Sequence, residues 1–91
     1  MLEIRFNNRM KRDIKLMKKR GKDLNKLEDI LTKLAKMETL SEKNKDHQLI
    51  GEWKDFRECH IEPDWLLIYK IENKELILFA TATGSHSDLF C

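Results

Sequence analysis

The sequence predicts an α+β domain in which a helical hairpin packs on a mainly antiparallel, twisted sheet. Three observations carry that expectation. Apolar residues recur at helical spacing from Met10 to Met37. From Leu49 onward the period changes toward that of strands. Turn-forming residues then divide the second half into short extended runs.

Taken in order, Leu2, Ile4 and Phe6 alternate with Glu3 and Arg5, which reads as a short half-buried strand. Asn7-Asn8 offers an N-cap, and Met10, Ile14 and Met17 form a stripe ending at Gly21. Asp23 can cap a second helix. Its stripe is Leu24, Leu27, Leu31 and Leu34, widened by Ile30 and Met37, with Lys26, Lys33 and Lys36 outward. The short link makes the two helices a hairpin. Residues 39–48 are polar and read as an irregular loop. LIGEW (49–53) reads as a short strand and DFRECHIE (55–62) as a longer one. Glu62-Pro63-Asp64 marks a tight turn, because proline fixes φ. LLIYKI (66–71) is a strand covered on both faces, and Glu72-Asn73-Lys74 turns it into ELILFATAT (75–83). Gly84 breaks that run, and SHSDLFC closes the chain. The order is β-α-α-β-β-β, with one further short strand.

Ninety-one residues, 41% of them hydrophobic, make one domain over 1–91 with a single modest core and no room for a large cofactor. No apolar run approaches the ~20 residues that a membrane span needs. The first residues, MLEIRFNNRMKRD, have no signal-peptide core, so the cytoplasm is the expected compartment. Two cysteines, Cys59 and Cys91, make no disulfide framework; Cys59 reads as a packed thiol and Cys91 as a frayed end. Net charge is +2, yet residues 1–26 carry +7 and the remainder −5. A positive lobe of that strength suits a polyanion or an acidic protein, although a solvated helix face has the same composition.

The densest chemistry lies in Arg57 to Trp65, RECHIEPDW, which holds an arginine, a histidine, three carboxylates and a tryptophan. His47 and His86 complete the three histidines, all in the second half. The Pro63 turn brings His60 near Asp64, and pairing of the later strands can carry His86 to the same sheet end. A metal site of two histidines with Asp64 is one reading, but no zinc-binding spacing accompanies it. Acid–base cleavage of RNA fits better. One group must take the ribose 2′-OH proton, another must protonate the 5′-oxygen, and cations must hold the phosphate. Histidines suit the first two tasks near neutral pH, and Lys54 and Arg57 the third. Trp65 and Phe90 can stack on bases, or equally fill the core. Cys59 and His60 are adjacent on a strand and point to opposite faces, which argues against a thiolate–imidazole pair.

KDHQLIGEWKDFRECHIEPDWLLIYKI (45–71), followed by TGSHSDLF (83–90), resembles the YafQ branch of the RelE/ParE toxin superfamily. The elements KDH, W-K-x-aromatic-R-acid-x-H, EPDW and TGxHxxLF occur together, and the order of elements before them agrees. The resemblance implies a RelE-like fold and a ribosome-dependent mRNA endonuclease that needs no cofactor or metal. It implies His47, His60, Asp64 and His86 as catalytic residues, with His86 the general acid. Which of His47, His60 and Asp64 takes the 2′ proton is left open. Phe90 matches an aromatic that positions the nucleotide. The implied partners are the ribosome with message in its A site, met by the basic first helix, and an acidic cognate antitoxin. Operator DNA would be reached only through that antitoxin, and no membrane is involved. One position departs from the pattern. Where the family commonly has arginine two residues before the glycine of TGxH, this chain has Ala82, which cannot hold a phosphate charge.

That departure motivates a competing expectation, a catalytically inactive module that binds antitoxin and tunes repression. A gyrase-directed toxin of the same superfamily is a third, disfavoured by the full histidine set.

Overall fold

Residues 1–90 are described by the computed structural model; Cys91, expected as a frayed end, lies outside the described residues. The alternating run at the N-terminus forms β1 (Glu3–Phe6), followed by α1 (Asn8–Lys19) and α2 (Leu24–Ala35). Asn7 is the cap of α1, its Oδ1 accepting the Met10 N–H at 2.7 Å, and Asp23 caps α2 through the Asn25 N–H at 3.0 Å. Gly21 ends α1 at φ +80°: its N–H donates to the Lys18 carbonyl, and the Lys22 N–H donates to that of Met17. Met37 takes the same left-handed turn after α2, at φ +61°. It is therefore exposed and does not widen the apolar stripe as expected, because the helix has already ended at Ala35.

The rest of the chain is β2 (His47–Gln48), β3 (Arg57–Glu62), β4 (Trp65–Glu72), β5 (Ile77–Gly84) and α3 (His86–Phe90). The five strands lie in the order β1-β5-β4-β3-β2. β1 runs parallel to β5, and the other three pairings are antiparallel. The expected strand at LIGEW is a correction. Gly51 adopts φ +68°, which breaks extended backbone, and Gly51–Trp53 close into a single 3-10 turn. Pairing falls instead on His47 and Gln48, inside the stretch read as irregular.

α1 and α2 cover one face of the sheet. There Met10, Met17, Leu27, Leu31 and Leu34 pack on Cys59, Trp65, Leu67, Tyr69, Leu78 and Ala80. The opposite face carries a smaller apolar layer of Leu66, Ile68, Ala82 and Leu89, flanked by Leu49, Trp53, Phe56 and Phe90. β4 is thus covered on both sides, as its continuous apolar run requires. Among the described residues no helix is long and apolar enough to cross a membrane.

One irregularity in β5 decides which residues share the second face. Ile68 pairs with Ala82, but Tyr69 pairs with Ala80, so Thr81 is an extra residue. Ala80 faces the helices, and after this bulge Ala82 faces the other way. Thr83 returns to the helix side, where its Oγ1 donates to the Leu66 carbonyl at 2.6 Å and accepts the Trp65 Nε1–H at 2.9 Å. Of the two readings of Trp65, a base-stacking surface or a core residue, burial decides for the core and removes it from the substrate-binding set. It is 0% exposed, sharing the helix-facing row of β4 with Leu67 and Tyr69. Trp65→Phe should cost about 1–3 kcal/mol of stability, from lost packing and the lost hydrogen bond to the Thr83 hydroxyl, measurable by denaturant unfolding.

Candidate active site

Strand register alone assembles the site on the face away from α1 and α2. His47 pairs with Glu58, Glu58 with Ile68, and Ile68 with Ala82, which makes one row across four strands. The next row is His60, Leu66 and Gly84. His86 follows two residues after Gly84, at the start of α3. His60 and Gly84 are therefore two strand spacings apart, about 10 Å by ordinary sheet geometry. Between them lies the apolar floor of Leu66.

Each imidazole is held by local geometry. The Nδ1 of His47 lies 2.6 Å from the Lys45 carbonyl, and that of His60 lies 3.2 Å from the Pro63 carbonyl. Their Nε2 atoms approach the Glu58 Oε1 at 3.8 and 3.6 Å respectively. Glu58 is itself buried, at 6% exposure. The sequence reading passed over it, although its place two residues before His60 puts both side chains on one strand face.

His86 is exposed, with its ring centroid 5.1 Å from that of Phe90. Phe90 in turn meets Trp53 edge-on at 6.5 Å, and Trp53 meets Phe56 at 5.4 Å. Trp53 is the second residue that sequence reasoning missed; its half-buried ring extends the aromatic wall beside His86. Asp64, expected as a possible base, has Oδ1 accepting the His86 backbone N–H at 3.0 Å. That contact makes it an anchor for the start of α3.

α3 is pinned by a second carboxylate. Asp88 accepts both Arg20 guanidinium nitrogens at 2.6 and 3.1 Å, and the Ser85 N–H at 2.8 Å. Arg20, followed by the Ser85 amide, holds the Asp88 carboxyl well below the usual carboxylate range. Gly84 leaves room for this clasp, since a Cβ there would lie 2.9 Å from the Asp88 Cβ. A depressed carboxyl stabilises the fold above the ordinary aspartate value of about 4, and the contribution fades as pH falls through its own lower value. The dock of α3 should accordingly persist at neutral pH and loosen in strong acid. Asp88→Asn should cut hydrogen-exchange protection of the Leu89 amide about tenfold at neutral pH.

The cations divide. Lys54 is exposed near the aromatic wall and enters none of the ion pairs among the described residues. Arg57, expected beside it as a phosphate ligand, is a correction. It lies on the helix-facing side of β3, opposite Tyr69, and its Nε donates to Asp46 and to the Tyr69 hydroxyl at 3.3 Å each. Its period-2 partner is Cys59, not His60. Cys59 is buried and its thiol is pushed up to about 12, first by burial and then by Asp46 and Glu58, so it is no nucleophile. Ala82 is 0% exposed beneath the apolar layer. Away from the site, Arg12, Lys15, Lys18 and Lys19 line an exposed basic patch on α1 around Leu16.

Among the described residues, no group of three or more His, Cys, Asp and Glu side chains is arranged to hold a metal ion. The geometry brings His47, His60, His86, Asp64, Phe90 and Ala82 to one face, and leaves Trp65 and Arg57 on the other.

Comparison with known proteins places this arrangement among toxins. The sequence profile of the YafQ toxin family, described as the bacterial toxin of a type II toxin–antitoxin system, matches residues 2–91. The chain is 43% identical over 89 residues to the mRNA interferase toxin YafQ of Escherichia coli strain K12, covering 97% of this chain and 95% of that protein. In structure it is similar to a metal-bound toxin from Helicobacter pylori, with TM-score 0.93, 46% identity and coverage of 99% of this chain and 100% of the other. It is also similar to YafQ in the E. coli DinJ–YafQ complex, with TM-score 0.89 and 39% identity over the whole of both chains.

Proposed function

Because the chain belongs to the YafQ family of bacterial type II toxins, we propose that it is an endoribonuclease that enters the ribosomal A site and cuts the message there. An imidazole of the His47–His60 pair takes the ribose 2′-OH proton. The 2′-oxygen attacks the adjacent phosphorus, and His86 gives a proton to the departing 5′-oxygen. The observation that carries this reading is the row His60–Leu66–Gly84, which leads directly to His86. With His60 about 10 Å from Gly84 and His86 two residues beyond it, imidazoles reaching inward from the two sides can bracket one phosphodiester.

The remaining parts have supporting roles. Asp64 holds the His86 backbone in place, and Phe90 offers its ring to the nucleotide. Lys54, next to Trp53 in the chain, and Lys70, which lines a cavity with Phe56, have no carboxylate partner among the described residues. The basic patch of α1 supplies the electrostatic attraction to ribosomal RNA. The similarity to the toxin of the DinJ–YafQ complex supports a cognate antitoxin as the resting partner; operator DNA is reached only through that antitoxin. The interferase name of the E. coli relative supports RNA as the substrate.

Ala82 tempers the activity. It lies in the row of Ile68 and Glu58, on the face that would hold the phosphate, and it brings no charge. This position also favours a second reading, in which the chain retains antitoxin binding and has no catalytic role. Primer extension on a translated message separates the two. A-site cuts by this chain, enhanced in Ala82→Arg, support the enzyme. A folded Ala82→Arg variant that binds antitoxin and leaves the message intact supports the binding module.

A further inference from the structure

Glu58 is a buried carboxylate whose only ionic neighbours among the described residues are two imidazoles, at distances too long for hydrogen bonds. The tautomers explain the gap. A backbone carbonyl can only accept, so the Nδ1 of His47 and the Nδ1 of His60 must each carry the hydrogen of the neutral ring. Each Nε2 then presents a lone pair to an oxygen that also presents lone pairs. Three acceptors face one another, and no protein group among the described residues donates to any of them. The arrangement suits the molecule only when a positive charge arrives, and the reaction delivers one.

We infer that Glu58 is the counter-charge of the proton-accepting site, a positioning residue that stabilises whichever imidazole of the His47–His60 pair has just become cationic. The inference rests on the RNA-cleavage reading above and deepens it. In the step concerned, the O2′–H bond breaks and an Nε2–H bond forms with the imidazole lone pair, while the O2′ electron pair goes to phosphorus. The ring changes from neutral to +1 beside a carboxylate already in place. The attraction does not exist before proton transfer, so it favours the transition state over the bound substrate. Burial of Glu58 strengthens it, more toward His60, whose side chain is 21% exposed, than toward His47 at 51%. The geometry also explains why Glu58 lies between the two rings on the open face, while the nearest carboxylate on the helix side, Asp46, is occupied by Arg57 and Tyr69.

The test compares the native side chain with Glu58→Gln, which keeps the shape and removes the charge, and with Glu58→Asp, which keeps the charge. Each is made in the otherwise unaltered chain and in the Ala82→Arg background. Glu58→Gln should lower single-turnover cleavage of ribosome-bound message about 100-fold, leave ribosome affinity within twofold, and be partly rescued in Glu58→Asp. Equal cleavage by native and Gln forms overturns the inference while leaving the RNA-cleavage reading intact. A second measurement needs no activity. In ¹⁵N spectra of the imidazoles, His47 and His60 should be Nδ1–H tautomers at alkaline pH. In Glu58→Gln, whose amide can donate to the Nε2 lone pairs, the ¹⁵Nε2 resonances should move toward those of a hydrogen-bonded acceptor. Unmoved resonances overturn the inference even if cleavage falls. If the resonances move as expected and no form cuts message, the placement of Glu58 against both rings stands and the RNA-cleavage reading fails.

Discussion

Removing the imidazole of His86 should lower cleavage of ribosome-bound message by about 10²–10⁴-fold, the range for loss of a positioned general acid. The effect should fall on the chemical step. His86 is exposed, and its fixed contact to Asp64 runs through the backbone N–H, which alanine keeps. Stability should therefore change by no more than about 0.5 kcal/mol. Ribosome binding, which the proposed function assigns to the basic face of α1, should be retained. The measurement is single-turnover primer extension in the Ala82→Arg background, with melting temperature followed in parallel. A His86→Ala chain that stays folded and cuts as fast as its parent would remove the general-acid role. His60→Ala should lie in the same range, because His60 stands in the row that faces His86 across Leu66.

Ala82→Arg should raise cleavage by about 10²–10³-fold, the value of one preorganised group on a developing phosphate charge. The position has the right neighbours. Its Cβ faces the site, in line with Glu58 and one residue row from His60 and Gly84. The difficulty is burial, since Ala82 has no exposed area under the apolar layer. An arginine there can lay its methylene stem along that layer and carry its guanidinium to solvent beside Phe90 and Trp53. The cost is displacement of those half-buried rings, so a modest loss of stability should accompany the gain in rate. A folded Ala82→Arg chain with no gain would show that this alanine is no handicap, and that the phosphate is held elsewhere.

Much of this molecule was legible in the sequence because its periodicities are clean. The caps at Asn7 and Asp23, the Gly21 stop, the Pro63 turn and the doubly covered run from Leu66 all follow from local chemistry, and His47 and His60 reach one face by ordinary pairing. The rest depended on tertiary facts that local spacing does not contain. Alternation places Cys59 opposite His60, and the same rule applied to Arg57 would have set it with Cys59 on the helix side. What alternation lacks is the choice of which face the helices cover, and that choice removes Trp65 and Arg57 from the substrate. Trp53 was hidden because Gly51 turned an expected strand into a tight turn. Glu58 was hidden because a carboxylate on a strand reads as solvent-facing until the imidazoles on both sides are seen to close over it.

The extra residue at Thr81 has a consequence for how this protein can vary. Read by simple alternation, Ala82 belongs with Leu78 and Ala80 beneath the helices; one surplus residue transfers it, and everything after it, to the working side. Because Thr81 stands outside the ladder, losing it would leave Ala80 opposite Tyr69 and Ala82 opposite Ile68, with the histidines still on one side; losing a paired residue of the strand instead would shift that register.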